Sequence, residues 1–364
     1  VYAAVALLCL ITFRNWKAVI VALLPLMLTS VLAEALMVHL GIGVKVATLP
    51  VIALGVGIGV DYALYIMTVT LARLKGGMSL SEAYYKALTF TGKVVVLLHG
   101  LCMNDLQWRV VKPAADGQPA QVNELGATLA TELGYTPVYL RYNTGLHVSQ
   151  NGRELAAQLE QLAAHWPVPV TALSLVGYSM GGLVARSAIH YGQAGAMRWA
   201  GQLGDLVCLA APHHGSPLER AGNLLDVLLG VNPYSAPYGK LIQLRSAGIT
   251  DLRYGHVVDE DWHGHDRFRR KPDSRHQVPL PDGVRCFALA ATTAAKRSAL
   301  ADRLVGDGLV PLHSALGQHD DARHTLRFSK AAQCVMYKMN HMAVPAHPAV
   351  IQQVREWLAP ANGE

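Results

Sequence analysis

The sequence predicts a two-part chain in which an α/β domain, with a mostly parallel sheet and helices on both of its faces, follows a short all-α membrane fragment. The 364 residues are enough for about two domains. Only 15% of them are charged, against about 25% in an ordinary soluble domain. The charge is also unevenly spread, because residues 1–93 hold seven basic and three acidic side chains while residues 94–364 hold 24 and 22. From residue 94 onward, short β-rich runs alternate with helical stretches, which favours a parallel sheet.

Three apolar runs make up the front part. Residues 1–13 are too short to span a bilayer and are expected to be the end of a transmembrane helix, whereas 18–40 and 49–71 are long enough. Residues 79–91 form an amphipathic segment. Basic residues between the first two runs and after the third place these ends in the cytoplasm. We therefore expect a multi-pass inner-membrane protein that contacts lipid through residues 18–71 and keeps its α/β domain in the cytoplasm. These basic residues are Arg14, Lys17, Arg73 and Lys75.

Asp61 is an acidic residue at the predicted depth of the membrane. A carboxylate there is costly, so it is a candidate for a proton relay, with structural packing as the alternative. The surrounding sequence, TLPVIALGVGIGVDYALYI followed by LARLKGGMSLSEAYYKALTFTGKVV, resembles the fourth transmembrane helix and the next cytoplasmic segment of the resistance-nodulation-division (RND) exporters, closest to the hydrophobe exporters. The resemblance implies that Asp61 is a relic of the exporters' relay acid. It stops at residues 92–94.

The back part, residues 94–364, is long enough for one domain with a full core. Residues 216–280 interrupt its rhythm and are predicted to form a cap over a site. The predicted strands are 94–98, 137–142, 173–176, 206–210, 285–290 and 325–328. The predicted helices are 122–133, 152–165, 181–191 and 348–358.

Ser179 lies in the motif Gly177-Tyr178-Ser179-Met180-Gly181, between an apolar strand and an amphipathic helix. A serine on a sharp strand-to-helix turn needs small neighbours so that its hydroxyl is exposed and its backbone strain is tolerated. The helix start behind it also favours developing negative charge. Ser179 is therefore the candidate nucleophile.

A serine nucleophile needs a base and an acid that orients the base, and both follow the serine in this architecture. Asp307 lies in the glycine-flanked turn GDGLVP, and His341 lies between the last predicted strand and the last helix. His347 directly precedes Pro348 and is expected to cap that helix instead. The other acids that remain open are Asp302, Asp320 and Asp321, and the other bases are His313, His319 and His324.

Two backbone N–H groups are predicted to form an oxyanion hole. One belongs to Met180, directly after the nucleophile, and the other to Leu101, which follows His99-Gly100 after the first strand.

These motifs, together with APHHGSP at 211–217, resemble the α/β-hydrolase fold and within it the lipase and esterase branch with HGL at the oxyanion loop. The likeness is to bacterial triacylglycerol lipases and inositol-deacylase-like esterases, and it covers residues 94–364. It implies a catalytic triad of Ser179, Asp307 and His341 and a substrate that is a lipid or another acyl ester.

No cofactor is expected. The acidic and histidine-rich segment 259–266 matches no known metal-ligand spacing and is predicted to be a solvated loop. The five cysteines are dispersed and odd in number, which argues against a disulfide framework. No run of Lys and Arg suggests nucleic-acid binding.

The sequence thus predicts a serine carboxylic-ester hydrolase with a partial membrane anchor. The alternative is a membrane transport protein of the RND type, with the hydrolase part joined to it by gene fusion or by mis-joined sequence. Two full segments and a stub are too few for alternating access, which needs paired repeats. A third interpretation, a binding module without activity, is disfavoured because all three triad residue types occur in order. Acyl-chain length and oligomeric state stay open.

Overall fold

The computed structural model describes residues 91–112, 121–216, 246–264, 266, 268, 272–295 and 306–360, with single positions in the first ninety residues. The chain divides into two compact units, Val1–Phe90 and Thr91–Glu364. In the first unit, the positions described between Leu10 and His39 are helical. The predicted helix 49–71 with Asp61, and most of 1–13, 18–40 and 79–91, lie outside the described residues. Within the described part of the chain, no helix has both the length and the apolar character needed to cross a membrane.

In its described residues, the second unit is built on a six-stranded sheet in which every neighbouring pair is parallel, as the strand–helix alternation predicted. Its strands are β1 (Lys93–Leu98), β4 (Thr136–Leu140), β5 (Ala172–Tyr178), β6 (Leu203–Leu209), β7 (Arg285–Thr292) and β8 (Gln333–Tyr337). Their order across the sheet is β4-β1-β5-β6-β7-β8. Between β1 and β4 along the chain, β2 (Arg109–Lys112) and β3 (Gln121–Glu124) form a separate antiparallel pair.

Helices cover both faces of this sheet. The α-helices in the described residues of this unit are α1 (Leu125–Leu133), α2 (Val148–His165), α3 (Met180–Ala194), α4 (Ala247–Asp251), α5 (Leu312–Ala315) and α6 (Pro348–Leu358). Of these, α2 and α3 pack on one face and α1 and α6 on the other, whereas α4 lies in the predicted cap. Strand β1 shows why its sequence is apolar throughout: Val94, Val96 and Leu98 pack with α2 and α3, whereas Val95 and Leu97 pack with α1 and α6. A strand buried on both faces needs a continuous apolar run instead of an alternating one.

The four predicted helices are present, 348–358 with the predicted ends and the other three with shifted ends. Helix α1 begins at Leu125 and not at residue 122, because residues 121–124 form β3 and pair with β2. This short hairpin was not predicted. The apolar side chains of its strands, Val110, Val111 and Val122, are exposed. The hairpin therefore lacks the buried apolar face that makes a strand recognisable in a sequence.

The prediction of a strand at 325–328 is wrong. This segment is irregular, and the last strand of the sheet is β8, which pairs with β7 from Gln333 to Tyr337. Leu326 and Phe328 are buried because they pack in a small cluster beside α5. The alternation of apolar and polar residues in this segment therefore reflects the burial of one side of an extended segment that does not pair in the sheet.

Part of the predicted cap, residues 217–245, lies outside the described residues. The described part is fastened to the start of α2 through Asp251, which is only 1% exposed. The Asp251 carboxylate accepts hydrogen bonds from the Val148 N–H at 2.7 Å and from His147 Nδ1 at 2.9 Å. The His147 ring in turn stacks on Trp262, with centroids 3.8 Å apart.

Helices α2 and α3 approach closely at Gly152, where an added Cβ would lie 2.2 Å from the Ser187 Oγ and 2.5 Å from its Cβ. Gly152→Ala should therefore destabilise the protein by about 1–3 kcal/mol through overpacking. The matched control is Gly201→Ala, where nothing lies within 4 Å of the added Cβ, and which should change stability by less than about 0.5 kcal/mol. Urea unfolding midpoints of the two variants measure the difference, and equal midpoints would contradict this account of the α2–α3 contact.

Candidate active site

Ser179 occupies the turn between β5 and α3 in a strained backbone conformation, with φ 53° and ψ −123°. A positive φ is unfavourable for a residue with a Cβ and persists only where the surroundings impose it. The Ser179 N–H donates to the Leu209 carbonyl at the end of β6, 2.8 Å away, which ties the turn to the neighbouring strand. The side chain is 7% exposed.

The two flanking glycines of the motif are required by close backbone contacts. A Cβ at Gly177 would lie 2.5 Å from the Gly181 carbonyl oxygen, and one at Gly181 would lie 2.4 Å from the carbonyl oxygen of Leu98. Real Cβ atoms do not come this close to backbone, so any larger residue would displace the turn. The glycines therefore allow the start of α3 to lie directly against the end of β1.

Ser179, His341 and Asp307 are joined in series by hydrogen bonds. His341 Nε2 lies 2.9 Å from the Ser179 Oγ, and its Nδ1 lies 2.6 Å from the Asp307 Oδ2. The Asp307 and His341 side chains are both buried. With Nδ1 donating to the carboxylate, Nε2 can accept the serine proton, and this tautomer is inferred from the hydrogen-bond partners. The three residues follow β5, β7 and β8 and so lie at the carboxyl ends of parallel strands, where such sheets place their sites.

The Asp307 carboxylate is held from two directions. Its Oδ1 accepts hydrogen bonds from the N–H groups of Leu309 and Val310, at 3.0 and 2.8 Å, while its Oδ2 accepts from His341. The backbone N–H of His341 also donates to the Asp307 carbonyl, 3.0 Å away. The acid and the histidine are therefore fixed to each other through both main chain and side chain.

The loop after β1 lies against the nucleophile. A Cβ at Gly100 would be 3.2 Å from the Ser179 Cβ, so Leu101, the next residue, follows directly on that contact. Met180 is the first residue of α3, where backbone N–H groups have no helical partner. The two predicted oxyanion-hole residues thus come from the loop and the helix start that border Ser179.

Tyr142, just beyond the end of β4, holds this loop and was missed by sequence reasoning. Its hydroxyl donates to the His99 carbonyl at 2.6 Å, and its ring stacks on the His99 ring at 4.4 Å. Its N–H donates to His99 Nε2, so Nδ1 carries the hydrogen and donates to the Gly100 carbonyl. Burial lowers the pKa of His99, which keeps this ring neutral, and raises the pKa of Tyr142, which keeps its hydroxyl a donor. The available signal was its position at the carboxyl end of a predicted strand.

A second tyrosine, Tyr178, supports the histidine. Its hydroxyl donates to the His341 carbonyl at 2.8 Å, and burial raises its pKa, so it stays protonated.

Other acids and histidines that the sequence offered as triad members have different contacts. His347 Nδ1 accepts from the Ala349 N–H and caps α6, which confirms that prediction. Asp321 pairs with Arg323 at the surface. His319 lies 3.8 Å from Asp273.

The prediction of a solvated loop at 259–266 is wrong for Asp261. Its side chain is buried and accepts hydrogen bonds from the N–H groups of Val257, Val258 and His276. Asp261 therefore organises the backbone around it. Among the residues that the structure describes, no group of histidine, cysteine and carboxylate side chains could hold a metal ion.

A parallel sheet covered on both faces, with a serine on a tight strand–helix turn and a histidine and an acid after later strands, is the plan of the α/β-hydrolases. The chain belongs to the family described as PGAP1-like alpha/beta domain, which matches residues 89–278, more than half of its length. The MMPL family matches residues 1–103. No curated relative matches the chain.

Solved structures similar to the chain include lipases and esterases of low sequence identity. The Bacillus licheniformis lipase BlEst2 in its mature form is 18% identical, with a TM-score of 0.45 over 74% of this chain and 92% of that chain. Lipase 1 from Pelosinus fermentans is 12% identical, with a TM-score of 0.44 over 75% and 100%. EstA from Clostridium botulinum is 12% identical, with a TM-score of 0.41 over 74% and 87%.

Proposed function

We propose that this protein is a serine carboxylic-ester hydrolase that acts on lipid or other acyl esters. The observation that carries the proposal is the hydrogen-bonded series from Ser179 through His341 to Asp307, with links of 2.9 and 2.6 Å. Membership of the PGAP1-like alpha/beta domain family supports it.

The geometry supports acyl transfer in two steps. In the first, the Ser179 Oγ attacks the ester carbonyl while its proton passes to His341 Nε2, and the collapse of the tetrahedral intermediate releases an alcohol that takes this proton. In the second, His341 removes a proton from water, which attacks the acyl-serine, and His341 then returns this proton to the Ser179 Oγ as the carboxylic acid leaves. Asp307 orients the imidazole and stabilises its cationic form.

The negative charge on the carbonyl oxygen needs donors that are already in place. The N–H groups of Leu101 and Met180 would supply them, and each such donor is worth about 100- to 1,000-fold in rate. The start of α3 adds the partial positive charge of a helix N-terminus at the same point.

Apolar side chains next to the triad support an acyl substrate. Met342 follows His341 and is 60% exposed, and Leu309, whose N–H donates to Asp307, is 40% exposed. Leu106, in the segment after the oxyanion loop, is 66% exposed. Met342 and Leu309 neighbour His341 and Asp307 along the chain, and exposed apolar groups of this kind would gain free energy by covering the hydrocarbon part of an ester.

Replacement of the nucleophile tests the proposal directly. Ser179→Ala should lower kcat/KM for p-nitrophenyl butyrate by ~10⁴ or more, because loss of a triad member removes most of the catalysis. His341→Ala should be nearly inactive as well, whereas His347→Ala, which only removes a helix cap, should keep full activity. Esterase assays with circular dichroism as the folding control measure this. Activity above about a tenth of wild type in folded Ser179→Ala would refute the assignment.

The Tyr142 hydroxyl should affect the transition state without affecting substrate binding. Tyr142→Phe keeps the ring stack on His99 but removes the hydrogen bond that holds the oxyanion loop, so kcat should fall about 10-fold while KM stays the same, since oxyanion contacts form in the transition state. The control is Tyr337→Phe, on β8 and 38% exposed. Steady-state kinetics with one ester substrate measure both constants. A change in KM alone would assign Tyr142 to substrate binding.

We also propose that the front segment holds the enzyme at the inner membrane with its α/β domain in the cytoplasm, as a fragment of an exporter-type membrane domain. The apolar runs 18–40 and 49–71 and the match of residues 1–103 to the MMPL family support this. The full chain should then sediment with membranes and resist extraction by high salt.

Asp61→Asn should leave ester hydrolysis unchanged in that preparation, because Asp61 lies outside the domain that carries the triad. Fractionation and esterase assays of the full chain and the variant measure both points. Full-length protein found in the soluble fraction, or proton-coupled export that is lost in Asp61→Asn, would contradict the proposed role of residues 1–93.

A further inference from the structure

A cavity with a volume of about 990 Å³ lies apart from the triad. It is bordered by α3, by residues 275–287 before and within β7, and by residues 322–332 before β8. Of the described residues that line it, none is Ser179, Asp307 or His341. The cavity is therefore distinct from the hydrolytic site.

Arginine dominates the charge of this cavity. Five arginines line it, with a single carboxylate among the described lining residues, that of Asp282. Three of these arginines have acidic partners that are not part of the lining, since Arg275 pairs with Asp273, Arg285 with Asp205 and Arg323 with Asp321. The other two are Arg186 and Arg327. The cavity is therefore positively charged even after these ion pairs are counted.

Arg186, on α3, is buried without a carboxylate partner in the described part of the chain. It is 6% exposed, its Nη2 donates to the Val278 carbonyl at 2.6 Å, and its Nη1 lies 3.4 Å from His213 Nδ1. Burial lowers its pKa to about 10, so it still carries its charge at neutral pH. Its Nε has no hydrogen-bond partner among the described residues. A buried cation with an unused donor is costly unless something compensates it.

The neighbouring His213 also lacks a hydrogen-bond acceptor in the described part of the chain. A guanidinium can only donate, so His213 Nδ1 must accept from Arg186 and Nε2 must carry the ring hydrogen. Burial holds the pKa of His213 well below its usual value, so the ring is neutral. Within the described part of the chain, Nε2 has no acceptor. Both unpaired atoms are therefore donors, and the missing partner is an acceptor.

Part of the remaining wall of the cavity is apolar. Val257, Val278, Leu280, Val284 and Phe287 all line it. A volume of about 990 Å³ is at the upper end of small-molecule sites. A ligand that fills the cavity would place a negatively charged oxygen group near Arg186 and hydrocarbon against these residues.

We propose that this cavity is a binding site for an oxyanion, a phosphate or carboxylate group, carried by an amphiphilic molecule and recognised by Arg186, His213 and Arg327. The site is separate from the triad, and the proposal does not rest on ester hydrolysis. Two buried donors without acceptors, an uncompensated arginine and an apolar wall are joined in one cavity, and an amphiphilic anion satisfies all three.

Calorimetric titration of the full chain with four short probes tests the proposal. Octyl phosphate and octanoate carry both features, inorganic phosphate carries the anion alone, and octyl glucoside carries the chain alone. Octyl phosphate should bind with a Kd below about 1 mM and at least about 10-fold more tightly than octyl glucoside. If inorganic phosphate binds as tightly as octyl phosphate, the oxyanion site stands and its natural ligand is a free anion.

Site variants locate the binding. Arg186→Gln should weaken octyl phosphate about 10- to 100-fold, because it removes a buried charge-assisted contact. Arg327→Gln should weaken it about 3-fold, since this side chain is exposed and its charge is screened. The control is Arg355→Gln on α6, a partly exposed arginine outside the cavity that is paired with Glu132, and it should leave binding unchanged. Arg327→Gln decides the question if Arg186→Gln does not fold.

Titration after Ser179 has been blocked with a fluorophosphonate separates this cavity from the hydrolytic site. Octyl phosphate should bind the blocked enzyme as it binds the free enzyme, and failure of the label to attach would count against the triad without affecting the cavity. The proposal is overturned if none of the anions binds at millimolar concentration, or if octyl glucoside binds as tightly as octyl phosphate. Unchanged affinity in both folded arginine variants would also overturn it.

Discussion

The strained turn at Ser179 is the constraint on which the rest of the site depends. A residue with a Cβ at φ 53° costs on the order of 1–3 kcal/mol and must be held by its surroundings. Here the Ser179 N–H is hydrogen-bonded to the end of β6, and Gly181 packs against the backbone at the end of β1. Helix α3 is buried along most of its length, so its position is set by the core. The position of the nucleophile is therefore fixed by the packing of the whole of α3 in the core and not by the turn alone.

The two polar regions of the domain differ in how far their hydrogen bonds are satisfied. At the triad, the Asp307 carboxylate accepts three hydrogen bonds and the histidine is bonded on both ring nitrogens. In the arginine-lined cavity, Arg186 and His213 each keep a buried donor without an acceptor in the described part of the chain. Since buried polar groups are normally paired, the first region is complete within the protein, whereas the second calls for a ligand.

Burial on both faces made most of the sheet predictable. Strand β1 contains a continuous apolar run from Val94 to Leu98, and it was found because a parallel sheet between two helix layers needs such runs. The failures share a cause. Leu326 and Phe328 are buried without pairing in the sheet, while β2 and β3 pair with exposed side chains, so in both cases hydrophobicity and strand pairing are separate. Asp261 was misjudged for the related reason that a charged side chain can be buried where backbone N–H groups surround it.

The sequence by itself determined the parallel sheet, the elbow around Ser179 and the order of acid and histidine after it, because these depend on local patterns and on the direction of the chain. The resemblance to the lipases and esterases named Asp307 and His341, but the residues alone left other acids and histidines open. The tertiary structure joins Asp307 to His341, and His341 to the serine, through the adjacent ends of β7 and β8. It also decided the roles of Tyr142 and Arg186. Tyr142 contacts His99 and Arg186 contacts His213, and both partners are distant in the sequence. No local sequence pattern encodes such contacts.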